Sequence, residues 1–153
     1  MALNPPLNDM GDPLRVQGEV YILSRKGVDF QVNIEGMGKL KGKGRCILTT
    51  SRIILIKKHY EEGDAFKSFD LPLALMFDES FEQPIFGANY IKGTCKPLQP
   101  DSLPNDVKFK VWFMEGGCGR FLKSWRFCLK KLRDASMGGN AGMSLAQEVQ
   151  SAQ

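Results

Sequence analysis

The most regular pattern in the chain is Val107-Lys108-Phe109-Lys110-Val111-Trp112-Phe113, where apolar residues recur at every second position. Successive side chains of a strand point to opposite faces, so this period predicts a half-buried strand with Val107, Phe109, Val111 and Phe113 in the core. Similar alternation at 19–23 and 28–34 predicts two strands joined by a turn at Arg25-Lys26-Gly27. The glycine- and lysine-rich stretch 36–44 reads as a loop. Strands follow at 45–48 and 53–57, the second favoured by its β-branched isoleucines. Beyond a polar loop at 58–64, prolines and charges separate further strands at 66–70, 75–81 and 85–92. An irregular excursion at 97–104 precedes the alternating strand.

After Gly116-Gly117-Cys118-Gly119, which predicts a tight turn, the period changes. Phe121, Leu122, Trp125, Cys128, Leu129 and Leu132 form one stripe at helical spacing. Lys123, Arg126, Lys130, Lys131 and Arg133 occupy the other face or its end, and the last three suit the negative pole of a helix. Large aromatics are needed to close a small β domain, so this helix is expected to cap the core with its cations in water. The pattern predicts a mainly β fold with one C-terminal α-helix. Residues 1–15 read as a flexible arm, 16–134 as the domain and 135–153 as a disordered tail.

A length of 153 residues with 42% hydrophobic content suits one domain with a real core. The net charge of +4 becomes a binding property only where cations cluster. Cys46, Cys95, Cys118 and Cys128 are widely separated and have only His59 as an imidazole companion, which argues against a structural zinc site. The first residues show no secretory or transit pattern, and no window is apolar enough to span a bilayer, so an intracellular protein is expected.

No Gly-x-Ser-x-Gly elbow or metal-binding helix pair is present. Gly36-Met37-Gly38 and Gly42-Lys43-Gly44 lack Walker spacing and read as hairpin connections. His59, in a charged loop, is assigned no role. The expectation is a protein that works by binding, with no catalytic residue, cofactor or metal.

Residues 83–93, Gln-Pro-Ile-Phe-Gly-Ala-Asn-Tyr-Ile-Lys-Gly, have no simple periodic explanation. Pro84 withholds a backbone donor, while Gly87 and Gly93 permit conformations or close approaches that a side chain would hinder. With Met1-Ala2-Leu3-Asn4, the run from Gly42-Lys43-Gly44-Arg45 to Ile53-Ile54-Leu55, and Ser68-Phe69-Asp70-Leu71-Pro72-Leu73, this stretch resembles the WW domain-binding protein 2 family. The resemblance implies a GRAM domain of pleckstrin-homology-like fold, a bent β-sandwich or open barrel capped by the helix. It also implies an adaptor or signalling scaffold with protein partners, transcription coactivation, and residence in cytoplasm or nucleus. Family members typically carry Pro-Pro-x-Tyr motifs for WW domains; here Pro5-Pro6-Leu7-Asn8 is the only Pro-Pro pair and lacks the tyrosine.

Two surfaces are expected to carry function. Lys39, Lys41, Lys43 and Arg45 alternate, which would line them along one strand face or a mobile loop. Cations held near an anionic membrane contribute about 1 kcal/mol each, so this set defines an alternative function as a peripheral phosphoinositide-binding module. In the 83–93 segment, Phe86, Asn89, Tyr90 and Lys92 are the partner-binding set, although the bulk of Phe86, Tyr90 and Ile91 favours burial for much of it. Direct nucleic-acid binding is not expected, because no recognition helix or stacking motif is present.

Overall fold

A computed structural model describes residues 2–64, 66–97 and 106–137. The strands are Ala2–Leu3 (β1), Tyr21–Ile34 (β2), Gly38–Thr49 (β3), Arg52–Lys57 (β4), Ser68–Pro72 (β5), Met76–Glu82 (β6), Tyr90–Cys95 (β7) and Val107–Phe113 (β8). A single 3-10 turn at Leu73–Leu75 turns the corner between β5 and β6, and Cys118–Met137 form the helix α1. Among the described residues, the strands make one antiparallel sheet in the order β1-β5-β4-β3-β2-β8-β7-β6.

The core lies between the inner face of this curled sheet and the apolar stripe of α1. Val107, Phe109, Val111 and Phe113 are all buried, as their alternation predicts. They meet Val28, Phe30, Val32 and Ile34 of β2 on the same face. From α1, Phe121, Trp125 and Leu129 enter the core, and the Trp125 ring packs edge-on to Phe109 at 6.3 Å. Complete burial of such a side chain contributes about 1.5–3 kcal/mol, which fixes the helix across the open side of the sheet. The cations Lys123, Arg126, Lys130, Lys131 and Arg133 stay exposed, and Arg133 pairs with Glu79.

The turn expected at Arg25-Lys26-Gly27 is instead a bulge within one continuous strand. The register with β3 slips between Lys26 and Val28, and Gly27 takes φ +66°, a conformation that suits glycine. The loop expected over 36–44 shrinks to the turn before Gly38, so Gly42 and Gly44 lie inside β3. A side chain at Gly42 would collide with the Phe30 ring directly opposite, and one at Gly44 with the Ile56 and Lys58 backbone. These glycines permit close packing in a strand; Gly36-Met37-Gly38 alone marks the hairpin. Strand β7 starts at Tyr90, leaving 85–89 as a loop.

Of the segment 1–15, expected as a flexible arm, the described residues from 2 onward are laid against the domain. Residues Ala2 and Leu3 pair with Asp70 and Phe69. The Asn4 backbone N–H donates to the Ser68 carbonyl at 2.8 Å, and Asn4 Oδ1 accepts from the Lys67 N–H at 2.7 Å. Leu7 packs on Ile47, Ile54 and Ile56, an outward-facing apolar cluster that would otherwise meet water. At the other end, α1 runs on to Met137, beyond the boundary placed at 134. The expectations for most of the 97–104 excursion and for the tail from 138 onward lie outside the described residues.

Candidate binding surface

Alternation along β3 does place Lys39, Lys41, Lys43 and Arg45 on one face, the outer one turned away from the core. Register then brings other strands' residues beside them. One row crosses Lys41, Gln31, Lys110 and Lys92; the next crosses Lys39, Asn33, Lys108 and Thr94. Neighbouring strands lie about 4.8 Å apart, so the two rows form a compact field of lysines separated by neutral polar groups. Among the described residues, Lys39, Lys41 and Lys108 enter no ion pair, while Lys92 approaches Glu82 at 3.5 Å. Glu35, Asp78 and Asp106 border the field near Lys108.

Arg45 departs from its expected role. Its guanidinium lies 2.7 Å from Asp12 and donates to the Gly11 carbonyl at 2.6 Å, so it holds the N-terminal segment in place. A groove of about 910 Å³ lies beside it, lined in part by Lys43, Lys57, Lys58 and Lys67. Two of its cations are already matched, Arg45 by Asp12 and Lys57 by Asp64 at 3.1 Å.

The partner-binding set divides as well. Phe86 is not core: it is 90% exposed, and Ile85 beside it is 93% exposed. Both lie in a bend of the β6–β7 loop that runs from Pro84 to Gly87, the latter with φ +101°, and both side chains are left to solvent. Ile91 is fully buried. Tyr90 is half-buried on the outer face, with its ring 5.5 Å from Trp112 opposite and the Lys110 ammonium 5.9 Å above it. The Asn89 carbonyl accepts a hydrogen bond from the Phe113 N–H at 3.0 Å, which ties down the base of the loop. Lys92 belongs to the lysine field.

Between the loop and the sheet lies a recess of about 570 Å³, lined in part by Gly87, Ala88, Lys41, Trp112 and Met114, and by Lys43 with Asp29 beside it in register. The two surfaces expected separately are therefore contiguous, with Lys41 common to the recess and the lysine rows. Sequence reading missed Lys108, Lys110, Trp112, Ile85 and Met114. The first three were available from the same alternation that identified the β8 core residues, since they occupy its other positions.

The N-terminal segment and the sheet are locked together away from this surface. Glu19 accepts from Arg52, Thr49 and Ser51 side chains and from the Val16 N–H. Burial alone would raise its pKa, but these hydrogen bonds outweigh burial and bring it down to about 2. The four cysteines are buried free thiols, held apart from the outer face.

A seven-stranded curl, extended by β1 at one edge and closed by a C-terminal helix, defines a pleckstrin-homology-like domain. Among solved structures, the Vps36 N-terminal PH domain superimposes with a TM-score of 0.64 at 19% identity, covering 86% of this chain and 94% of that one. A chain of an 8S snRNP assembly intermediate gives 0.54 at 7% identity, covering 85% and 89%. At these identities the likeness concerns the fold.

By sequence, the chain is 34% identical over 125 residues to human (Homo sapiens) WW domain-binding protein 2, covering 79% of this chain and 47% of the relative. It is also 34% identical over 92 residues to a stress-induced protein of Schizosaccharomyces pombe, covering 60% and 52%. The bovine (Bos taurus) postacrosomal sheath WW domain-binding protein is 38% identical over 79 residues, covering 52% and 25%. The chain is thus related to the WW domain-binding protein 2 family, as its motifs imply. It spans about half the length of the first two relatives. No protein-family model matches the chain.

Proposed function

We propose that the chain is a non-enzymatic adaptor module of pleckstrin-homology-like fold that captures a protein partner at the recess beneath the β6–β7 loop. The observation that carries this reading is the pair Ile85 and Phe86, both at least 90% exposed, in the same loop as Gly87 and Ala88, which line a partly apolar recess. Leaving two adjacent large apolar side chains in water is unfavourable, and a partner that covers them recovers that loss. Aromatic groups backed by a rigid base are efficient anchors, and Trp112 and Tyr90 supply such a base. The relatives' printed names, which describe proteins that bind WW domains, support protein capture as the general activity. Pro5-Pro6-Leu7-Asn8 gives this chain no tyrosine for that particular interaction. A scaffold or coactivator role, in cytoplasm or nucleus, would depend on which partner the recess accepts.

The test is to pan a displayed library of random peptides on the folded domain and measure each selected peptide against Phe86→Ser. A loss of about tenfold or more in affinity with unchanged thermal midpoint supports the reading. Selected peptides that bind the variant as well as the parent overturn it.

A second reading, a membrane-targeting module, is favoured by the exposure of Lys39, Lys41 and Lys43 on one strand face. Sedimentation with vesicles of mixed phosphoinositides tests it. Salt-sensitive binding lost on reversing those three charges supports that reading; no binding at low salt removes it.

A further inference from the structure

We infer that the partner is an acidic segment carrying one bulky apolar side chain, with its carboxylates on the lysine rows of the outer sheet face and its apolar residue in the recess. This rests on the proposed function and specifies the chemistry of the ligand. Lys41 lines the recess itself, and Lys39, Lys108, Lys110 and Lys92 extend from it over a field four strands wide. Lys92 is met by Glu82, but among the described residues Lys39, Lys41, Lys108 and Lys110 enter no ion pair, and an anionic ligand relieves their mutual repulsion while fixing its own register.

The intervening Gln31, Asn33 and Thr94 offer amide and hydroxyl groups that can bond a peptide backbone or carboxylates. Asp78, which lines the same groove as Lys39 and Lys108, and Asp106 repel carboxylates at the far row, favouring the Lys41–Lys110 row nearer the recess. A bilayer would meet the same cations, but a concave recess flanked by Trp112 and Met114 suits a single inserted side chain better than a lipid surface.

The probe is a short synthetic peptide of alternating acidic and small residues around a central leucine, labelled for fluorescence anisotropy at low and physiological salt. Its controls are a twin with lysines in place of the acids, a version with alanine for leucine, phosphatidylserine vesicles and a single-stranded oligonucleotide. The expected result is preferential binding of the acidic leucine peptide, weakened about tenfold in the Lys41→Glu/Lys110→Glu variant of the row beside the recess and unchanged in Arg126→Glu/Lys130→Glu on the helix. Loss of the leucine should weaken it several-fold. Equal binding of the basic twin, indifference to the sheet-face reversal, or preference for vesicles or oligonucleotide overturns the inference. If library-selected peptides need Phe86 but are not acidic, this inference falls while the adaptor reading stands.

Discussion

Arg52 on β4 donates from Nε to Glu19 Oε2 at 2.8 Å and from Nη2 to Oε1 at 3.2 Å, a two-pronged contact with a fully buried carboxylate. The same guanidinium reaches Asp70 of β5 at 3.1 Å and the Leu14 carbonyl at 2.8 Å. One side chain thus joins the residues before β2, the β3–β4 corner and the β5 edge. Breaking a buried pair by removing one partner leaves the other charge unmatched, so Glu19→Gln should cost about 3 kcal/mol in urea unfolding.

The same contact sets an acid limit. The folded-state pKa of Glu19, about 2, lies below its ordinary value of 4.5. Its contribution is therefore fully present above pH 4.5 and is lost as pH falls from there toward 2, on the order of 3 kcal/mol in all. Thermal midpoints measured across that window should fall more steeply for the parent than for Glu19→Gln. Parallel curves would contradict the assignment.

Gly42 and Phe30 face one another across β3 and β2, and the ring occupies the space where a Cβ would stand. Gly42→Ala forces the ring aside and should cost about 1–3 kcal/mol. Gly44→Ala should cost more, because its obstruction is the β4 backbone at Ile56, which cannot rotate away. Combining Gly42→Ala with Phe30→Leu should recover part of the first loss, a non-additivity that a double-mutant cycle would measure.

Burial pushes the thiols up, Cys95 to about 12 and Cys118 to about 11. The thiolate is the reactive form, so a thiol reagent at neutral pH should modify the native protein slowly and all four cysteines rapidly once it is denatured. Immediate modification of any one in the native state would show that its surroundings open readily.

Ile85 and Phe86 make the opposite prediction from Trp125. Serine at either loop position should change stability by no more than about 0.5 kcal/mol, whereas Trp125→Ala should cost about 3–5 kcal/mol. Guanidinium unfolding distinguishes these outcomes directly.

Those contrasts also mark what was legible in the chain. The β8 strand and the α1 stripe could be read because each has one buried face, so periodicity and burial coincide. The 25–27 bulge could not, because glycine beside two cations serves a turn and a bulge equally well. Gly42 and Gly44 resemble loop residues until the opposing Phe30 ring and Ile56 backbone are known. Residues 1–15 carry no period, and the placement of those described depends on Leu7, Arg45 and Arg52 contacts made across long stretches of sequence. Phe86 was read inward from the usual burial of aromatics, but a loop bent at Pro84 and Gly87 places it outside. The basic rows were half legible: Lys39 and Lys41 by alternation, their union with Lys108, Lys110 and Lys92 only by register.

The most direct test of the binding surface is a two-dimensional amide NMR titration of the domain with a library-selected peptide. Shifts should concentrate at Lys41, Gly87, Ala88, Trp112 and Met114, with the α1 amides at Lys123, Arg126 and Lys130 unmoved. Shifts confined to the exposed face of α1, or to the groove beside Arg45, would contradict that placement.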